Sequence, residues 1–333
     1  MQYCFEDSNS SCLKEVRSPG VYVVMYISAV AVVMLTVCGN LVVIISISHF
    51  KQLHTPTNFL LLSLAVADFL VGTTVLPFCL ILLIETCWFF GEMYCIFYNT
   101  VGCIIAVVSV YNVVCIAIDR YFAVCDPLLY SNKVTVNITW SLILFTWFFA
   151  VLYNLALVYF NGNINGSDKT NICFGQCRFL ISETWGIADV VFVFILPCTV
   201  ILSLYGKIFI VARRHAKVTC LVKEHLHSSQ KWKHTISSKS ERKAARTLGI
   251  VIFVFLMCLT PYYVFSFVKS DEIVSSSSVD INFLDWLVYF NSSLNPIIYA
   301  LLYPWFQKSV KLIITLKIFN TASSLINVYP EHF

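Results

Sequence analysis

Charge is the feature that this chain has least of. Only 12% of its 333 residues are charged, whereas 59% are hydrophobic, and a soluble domain carries about 25% charged residues. This composition excludes an ordinary soluble domain. The chain also lacks internal repeats, which argues against the repeat-built transporters. Residues 1–20 lack the apolar core of a cleavable signal peptide, so we expect the first apolar stretch to insert the chain itself.

Long apolar stretches are what the chain has instead. A helix needs about 20 mostly apolar residues to cross a bilayer, and a stretch of this kind occurs seven times. The composition therefore predicts an all-α membrane protein, a seven-transmembrane helix bundle in the lipid bilayer. The predicted spans are 21–48, 57–84, 93–118, 137–160, 184–206, 247–268 and 281–303.

The positive charges orient this bundle. With the N-terminus outside, the inner loops and tail hold 17 of the 22 Lys and Arg, 11 of them in 207–246. Positive charge on the cytoplasmic side is a topology signal, so the net charge of +4 does not indicate nucleic-acid binding. We expect an extracellular N-terminus at 1–20 and a membrane domain at 21–303. We expect an amphipathic helix and cytoplasmic tail at 304–333.

The predicted outer segments carry features of an oxidising, glycosylating compartment. Asn9-Ser-Ser and Asn165-Gly-Ser are sequons that we expect to be glycosylated, whereas the sequon at Asn137 falls on the inner side. Most of the 14 cysteines lie in predicted spans and are expected to act as apolar packing residues. Those in or bordering the outer compartment, where disulfides persist, are Cys4, Cys12, Cys95, Cys173 and Cys177.

Short motifs recur inside the predicted spans, in a fixed order. Together they resemble those of the rhodopsin-like receptors over nearly the whole chain, and the resemblance implies a receptor that activates a heterotrimeric G protein. The motifs are Gly39-Asn40, Leu64-Ala-Val-Ala-Asp68, Asp119-Arg120-Tyr121, Pro197, Phe255-Leu-Met-Cys258-Leu-Thr-Pro261 and Asn295-Pro296-Ile297-Ile298-Tyr299.

Three longer segments resemble one family within that class, the trace amine-associated receptors. The family implies small biogenic or volatile amines as ligands, a stimulatory G protein that raises cyclic AMP, and often an olfactory role in the plasma membrane of sensory cilia. The segments are His49-Phe-Lys-Gln-Leu-His-Thr-Pro-Thr-Asn58, Cys173-Phe-Gly-Gln-Cys177 and Asn291-Ser-Ser-Leu-Asn-Pro-Ile-Ile-Tyr-Ala-Leu-Leu-Tyr-Pro-Trp-Phe306.

The resemblance implies a set of activation residues near the inner face. Arg120 is expected to pair with Asp119 and with Glu241 in the resting receptor, and its release opens the G-protein cleft in related receptors. A solvated charge at a helix end is the plainer alternative for Arg120. The implied set is Asp119, Arg120, Tyr121, Tyr205, Glu241, Phe255, Asn295, Pro296 and Tyr299.

A buried acid in the second span matches the allosteric sodium pocket of the class. An isolated carboxylate at mid-membrane costs about 2.5–3.5 kcal/mol, so it requires partners. Hydroxyl and amide oxygens suit a hard cation such as sodium. A hydrogen-bonded or protonated acid without an ion is the alternative. The matching residues are Asp68, Ser109, Asn291 and Ser292.

Two disulfides are also implied by the resemblance. Cys95, at the top of the third span, should pair with Cys177. Cys4 should pair with Cys173 as the family's extra bridge, and Cys12 is the alternative partner. Spacing alone does not establish which cysteines pair.

The sequence departs from its family where the amine should bind. The usual anchor is an Asp in the third span, 18 residues before Arg120, and Gly102 stands there. Asp189 lies eight residues before Pro197, at ligand depth. It matches a position where some members, notably a large fish subgroup, carry an Asp that holds the ammonium with the ligand turned around. An interfacial acid near a helix start is the alternative.

A second acid, Asp285, lies one turn above Tyr289 in the seventh span. Two acids in one pocket could receive a ligand with two amines, or Asp285 could be a rim residue wetted by the outer vestibule. Aromatic faces nearby could bind a cation or could simply pack. The predicted ligand-binding set is Gly102, Cys103, Asp189, Tyr262, Tyr263, Asp285, Trp286 and Tyr289.

Other functions fit these residues less well. An opsin requires a Lys for the retinal Schiff base where Tyr289 stands, and no motif supports a catalytic constellation. Three buried acids do not form a polar pore. A constitutively active or non-amine orphan receptor remains the alternative, because Gly102 replaces the usual anchor and Leu259 replaces the activation-switch Trp.

Overall fold

The computed structural model describes residues 2–5, 10–161, 173–177, 181–225, 230–269, 278–320 and 323–329. Within these ranges it describes the backbone but not the side chains of residues 131, 215–246 and 267–281.

Seven long helical spans form the body of the protein. Span one is α1, Pro19–His49, and span two runs from α2, Pro56–Leu70, into α3, Leu76–Glu85. Span three is α4, Glu92–Cys125, followed by α5, Pro127–Lys133, and span four is α6, Val136–Phe160. Span five joins α7, Glu183–Asp189, to α8, Leu196–His225. Span six is α9, Gln230–Lys269, and span seven is α10, Ser278–Leu302.

The helices suit a membrane environment. Six of the described helical segments are long and apolar enough to cross a bilayer, from Pro19–His49 to Thr247–Ser266, and α10 completes the bundle as span seven. Many large apolar side chains point outward, among them Ile27, Phe145 and Leu202, each more than 60% exposed. Such a surface requires lipid around it. The prediction of a helical seven-span membrane protein is confirmed.

Span three occupies the centre of the bundle. It packs against spans two, four, five and six, while span one packs against spans two and seven. A central helix with neighbours on most sides is the element best placed to carry residues that connect the outer end to the inner end. Here "outer" denotes the end that carries the N-terminal segment.

Spans two and five each contain a π-helical turn that changes the direction in which their side chains point. π-helical segments cover Val71–Val75 and Val190–Ile195, and each is followed after one residue by a proline, Pro77 or Pro197. Proline has no N–H to donate to the preceding turn, so the regular hydrogen-bond ladder is interrupted there. A π turn is wider than an α-helical turn. The side chains on its outer side therefore point in directions that α-helical spacing does not predict.

Spans one and seven approach each other closely at Gly39. A Cβ on Gly39 would lie 2.5 Å from Cβ of Pro296, so only glycine fits. Directly beside this contact, the Asn40 amide donates to the carbonyls of Thr36 at 2.9 Å and Ser292 at 3.0 Å. The family motif residues in the first span are therefore structural contacts to span seven.

The outer segment adds a small departure from an all-α fold. Two-residue strands β1, Gln2–Tyr3, and β2, Leu13–Lys14, pair antiparallel to form a hairpin at the N-terminus. Residue Phe174 of the second outer loop forms a parallel bridge with Ser11 of this hairpin.

A short helix follows span seven, as predicted. In α11, Pro304–Ile314, the apolar Trp305 and Phe306 are buried, whereas Lys308 and Lys311 are exposed. This segregation is typical of a helix that lies along a membrane surface.

Candidate functional site

The outer loop is joined to span three by a disulfide. Cys95, in the first turn of α4, is bonded to Cys177, so the predicted pairing is confirmed. The Asn99 amide, one turn further along α4, donates to the Cys177 sulfur at 3.2 Å. This bridge holds the second outer loop over the outer end of the bundle.

The second predicted pairing, Cys4 with Cys173, is wrong. Cys173 is bonded to Cys12, the alternative partner, and Cys4 is bonded to Cys87. The hairpin explains the exchange, because the backbone N–H of Cys12 donates to the Phe174 carbonyl at 3.0 Å and so places Cys12 beside Cys173. Cys87 was not predicted to form a disulfide, although it lies between the second and third predicted spans.

The same loop is fastened to the end of span two. The backbone N–H of Trp88 donates to the Gly175 carbonyl at 2.8 Å, and Gly175 has a positive φ of 102°. A Cβ there would lie 2.9 Å from Cβ of Cys4, so glycine is required on both counts. The three disulfides therefore connect the N-terminal hairpin, span two, span three and the second outer loop. The predicted glycosylation sites Asn9 and Asn165 lie outside the described residues.

Asp189 is the best-supported element of the predicted ligand pocket. It is the last residue of α7, directly before the π turn. The Tyr153 hydroxyl of span four donates to its Oδ1 at 3.1 Å, and the Tyr263 hydroxyl of span six donates to its Oδ2 at 3.2 Å. The three ion pairs among the described residues do not include Asp189. Two neutral donors therefore orient a carboxylate that has no cationic partner in the described part of the chain.

Stacked rings hold one of those donors in place. The Tyr263 ring is buried and stacks on Phe194 with centroids 4.7 Å apart. The neighbouring Tyr262 ring meets Tyr263 edge-on at 5.2 Å. Tyr153 was not predicted, because in the sequence it is one of many aromatic residues in the fourth span, and only the fold brings it to Asp189.

Asp285, in span seven, lies on the other side of the predicted ligand pocket from Asp189. Its carboxylate is within electrostatic range of Cys79 in span two, Tyr98 in span three, and Tyr262 and Tyr289. None of the ion pairs among the described residues includes this carboxylate. Spans two, three, six and seven therefore contribute to its surroundings.

Cys103 lies near both acids. Both Asp189 and Asp285 are within electrostatic range of its thiol, and Tyr262 is within range of both carboxylates. The predicted pocket residues are thus brought together, with one acid toward spans four to six and the other toward spans two and seven. Trp286 stacks on Phe290 with centroids 4.9 Å apart, which supports packing as its role.

The third-span position that lacks the usual anchor is filled by a neighbour. Gly102 is buried, and a Cβ built on it would overlap the Tyr289 hydroxyl oxygen from span seven. The Cζ atom of that ring would lie 3.3 Å from the same Cβ. Gly102 is therefore a close contact between spans three and seven, and the structure leaves no open space there.

The predicted sodium residues cluster below the pocket. The Asn295 amide donates to Oδ2 of the fully buried Asp68 at 2.7 Å, and Ser292 is a further hydrogen-bond partner. Oδ1 of Asp68 and Oδ1 of Asn291 are buried without a protein partner in the described structure. Unsatisfied carboxylate and amide oxygens are the donor set that suits a hard monovalent cation. The residues present therefore fit sodium.

A small cavity borders this cluster. Its volume is about 20 Å³, which is enough for one water-sized species. Ser109, Asn291 and Ser292 line it, and so do Phe255 and Leu259. In this chain the smaller Leu259 side chain borders the cavity at the position where most of the class has Trp.

The inner end of span three carries a closed polar network. Arg120 forms an ion pair with Asp119, and its Nε donates to Oδ2 of Asp119 at 2.9 Å. The Thr57 hydroxyl donates to the same Oδ2 at 2.7 Å and also contacts Arg120, and the Tyr130 hydroxyl donates to Oδ1 at 3.0 Å. Burial and the nearby Asp119 raise the pKa of Tyr130, so its hydroxyl stays protonated. The predicted Arg120–Asp119 pair is confirmed.

Two members of this network were missed. Thr57 lies in the family segment ending at Asn58, and Tyr130 lies in α5, but neither residue type signals such a contact by itself. The side chain of Glu241, the other predicted partner of Arg120, lies outside the described residues.

The predicted activation tyrosines lie near the network without joining it. The hydroxyls of Tyr205 and Tyr299 are buried and have no partner in the described structure. Tyr121 faces the Lys207 ammonium, 5.9 Å from its ring centroid. Buried unpaired hydroxyls are unfavourable, so a rearrangement that pairs them would be stabilised by about 1–3 kcal/mol for each group.

Comparison with known proteins agrees with this geometry. Residues 39–299 match the family described as 7 transmembrane receptor (rhodopsin family). The chain is 41% identical over 335 residues to Trace amine-associated receptor 9 of Mus musculus, covering 99% of this chain and 96% of the relative. It is 39% identical over 331 residues to Trace amine-associated receptor 13c of Danio rerio, covering 98% and 96%.

A third relative, Trace amine-associated receptor 7c of Rattus norvegicus, is 38% identical over 335 residues, which covers 99% of this chain and 93% of that protein. The similarity therefore extends over nearly the full length of each chain. The protein belongs to the rhodopsin family of seven-transmembrane receptors and, within it, to the trace amine-associated receptors, so it is a multi-pass G-protein-coupled receptor and not an enzyme.

Proposed function

We propose that this receptor binds small protonated amines from the extracellular side and that Asp189 is their principal counter-ion. The observation that carries the proposal is the carboxylate of Asp189, which Tyr153 and Tyr263 orient at 3.1 and 3.2 Å without any described cation beside it. An ammonium that leaves water requires an anionic partner. The names of the relatives, all trace amine-associated receptors, support an amine as the ligand class.

The hydrogen bonds from the two tyrosines favour the charged form of the Asp189 carboxylate and fix its direction. Each donates one hydrogen bond, and an ionised carboxylate has about four acceptor sites. Further sites on Asp189 therefore remain for an ammonium, which has up to three donors. The aromatic ring of Tyr262 adds an attraction for a cation, whereas the Tyr263 ring is already stacked on Phe194.

Asp285 extends the proposal to ligands with two amines. Both acids are within electrostatic range of Cys103 and Tyr262, and they lie on different spans, so the proposed pocket has two anionic groups. Two like charges in one low-dielectric pocket repel, and a dication relieves that repulsion at both ends. We propose diamines as a preferred ligand class, with Asp285 as the second contact.

The same membership supports the remaining proposals about topology and signalling. We propose that residues 1–20 are extracellular, that residues 304–333 face the cytosol, and that the receptor lies in the plasma membrane, including olfactory cilia. The G protein is proposed to be stimulatory, with Arg120 released on activation. The buried oxygens of Asp68 and Asn291 are proposed to hold an allosteric sodium ion.

The test is a cyclic-AMP reporter screen with monoamines and diamines in cells that express wild-type, Asp189→Asn or Asp285→Asn receptor at equal surface density. Asn preserves the shape of the side chain but removes the charge. Loss of one member of a buried charge pair costs about 3–5 kcal/mol, so we expect Asp189→Asn to lose more than about 100-fold in potency for every amine.

The second variant is the matched control. Asp285→Asn should retain monoamine potency and lose about tenfold or more in diamine potency, because only the second ammonium loses its partner. Near-normal amine potency in Asp189→Asn would refute the anchor. Equal weakening of monoamines and diamines by Asp285→Asn would refute the diamine contact and leave the anchor standing.

A further inference from the structure

The chain after α11 turns back toward the inner end of span one. Two residues after α11 ends, Leu316 adopts the left-handed backbone region with a φ of 55°, which is unfavourable for a branched L side chain. A single 3₁₀ turn follows at Lys317–Phe319, and residues 323–325 then lie against the loop between spans one and two. The strained residue therefore sits at the point where the chain reverses.

Three hydrogen bonds fix this returning segment. Nε2 of His49, the last residue of α1, is hydrogen-bonded to Oγ of Ser323 at 2.9 Å, and the Ser323 hydroxyl donates to the Ile318 carbonyl at 2.6 Å. The backbone N–H of Val328 donates to Oε1 of Gln52 at 3.2 Å, and the Val328 side chain is fully buried. The position of the segment relative to span one is therefore set by the protein itself.

The reversal forms an apolar groove against span one. The groove has a volume of about 480 Å³, and small-molecule pockets have volumes of about 300–1,000 Å³. The residues that line it are Ile45, His49, Ile313, Leu316, Ile318 and Phe319. Leu316 is 66% exposed and Phe319 is 83% exposed, so most of their apolar surface has no protein cover. Exposed apolar surface of this kind marks a contact with lipid or with a partner.

The charges beside the groove favour lipid. Lys308, Lys311 and Lys317 are exposed, and residues 304–329 include no acidic residue. Lys317 lies between Leu316 and Ile318, which both line the groove. Anionic headgroups of the cytoplasmic leaflet attract lysines that lie next to the membrane. An apolar groove with a cationic edge at the inner end of a span is complementary to a phospholipid that has an anionic headgroup.

We propose that the groove binds one acyl chain of an anionic phospholipid of the inner leaflet, and that Lys317 contacts the headgroup of the same molecule. The choice of leaflet rests on the cytosolic placement of residues 304–333 proposed above. The acyl chain covers Leu316 and Phe319, and this burial offsets the unfavourable backbone of Leu316. The bound lipid thereby joins the returning segment to span one.

The headgroup contact is tested by counting lipids on purified receptor with native mass spectrometry, during titration with phosphatidylserine or phosphatidylcholine of identical acyl chains. The wild type should bind phosphatidylserine about fivefold more tightly or better. Lys317→Gln should lose about fivefold for phosphatidylserine and nothing for phosphatidylcholine, because only the charge is removed.

Arg213→Gln is the control for charge, because it removes another exposed cation of the inner region and should leave both affinities unchanged. Equal affinity of the wild type for the two lipids would overturn the anionic headgroup. Equal losses in Lys317→Gln and Arg213→Gln would overturn the contact at Lys317.

The groove is tested by removing its apolar wall. Phe319→Ser should weaken the binding of both lipids by about tenfold or more, because the acyl chain loses its largest apolar neighbour. Leu325→Ser is the matched control, since Leu325 is 63% exposed in the same returning segment but does not line the groove. This control should bind both lipids as the wild type does. Equal losses in Phe319→Ser and Leu325→Ser would overturn the groove as the site.

A variant of Leu316 separates lipid binding from folding. Asn adopts the left-handed region more readily than Leu, so Leu316→Asn should keep the melting temperature of the delipidated receptor while losing about tenfold in lipid affinity. A lowered melting temperature with normal lipid binding would overturn the role of Leu316 in the groove. These measurements use no amine and no G protein, so their failure leaves the amine anchor standing, and failure of the amine screen leaves the lipid site standing.

Discussion

The outer and inner halves of this receptor use buried acids in opposite ways. Asp119, at the inner end, is neutralised by Arg120 and is hydrogen-bonded by Thr57 and Tyr130. Asp189, at the outer end, is oriented by two tyrosines, and none of the described ion pairs includes it. A buried acid that is paired with a cation of the protein stabilises one conformation. A buried acid without such a partner can bind a cation that enters from outside the protein. Local pairing, not burial, therefore distinguishes the acid at the inner end from the acid that we propose as the ligand anchor.

The largest expected effect is on the polar network of Asp119, Arg120, Thr57 and Tyr130 at the inner end, here called the inner lock. Arg120→Ala should abolish the cyclic-AMP response while amine binding is retained, because the guanidinium contacts the transducer end and not the pocket. Binding of a radiolabelled amine to membranes is measured beside the reporter. Arg213→Ala, an exposed arginine on the inner part of α8, is the control and should signal normally. A full response in Arg120→Ala would remove the distinction between the halves.

The disulfides should produce the next largest effect, and they test how the outer half is built. Loss of one bridge costs about 2–5 kcal/mol. Cys12→Ser and Cys173→Ser should each reduce amine potency, by about tenfold or more, and the double variant should be no worse than either.

Cys4 and Cys87 should show the same non-additivity with each other. The crossed combination of Cys4→Ser with Cys173→Ser breaks two bridges and should be worse than each single change. If instead the crossed pair were non-additive, the sequence-based pairing of Cys4 with Cys173 would be reinstated.

A smaller effect is expected at Thr57, where the inner lock can be weakened without removing a charge. Thr57→Val keeps the shape but loses the hydroxyl that binds Asp119 and Arg120. A hydrogen bond to a charged group contributes about 1.5–3 kcal/mol, so basal cyclic AMP should rise several-fold without agonist. Thr57→Ser keeps the hydroxyl and should stay near the wild-type level. Unchanged basal activity in Thr57→Val would show that the network does not stabilise the resting state.

The smallest effect concerns the sodium residues between the halves. Replacing choline by sodium at constant ionic strength should lower agonist affinity about two- to fivefold in the wild type, since an ion that prefers the resting state opposes the agonist by its differential affinity. Asp68→Asn should make affinity independent of sodium. Cys115→Ala, a substitution in α4 outside the predicted sodium residues, should leave the dependence intact. The same sodium response in Asp68→Asn as in the wild type would exclude this site.

Much of this architecture could be predicted from local pattern. The apolar stretches predicted the spans because lipid imposes a length and a composition on each helix independently of its neighbours. Adjacent residues such as Asp119 and Arg120 are close wherever the chain goes, so their ion pair could also be anticipated. The amphipathic helix after Pro304 follows from the spacing of its lysines and aromatics.

The partners contributed by distant parts of the chain could not be predicted in the same way. Tyr153 and Tyr263 reach Asp189 across 36 and 74 residues, and Thr57 reaches Asp119 across 62. Tyrosine and threonine are common in membrane helices, so type alone does not mark the few that meet an acid. Pro77 and Pro197 follow the two π turns, which were not predicted from the sequence, and residue type does not indicate which side chains such turns reorient.

By itself, the sequence determined the number of spans, the positions of the acids and the absence of a third-span anchor, because each depends on residue type at one place. The tertiary structure decided that Cys12 and not Cys4 meets Cys173, and that the Tyr289 hydroxyl fills the space at Gly102. These outcomes depend on how two helices or loops approach within a few ångströms, and close packing makes such distances a property of the whole bundle.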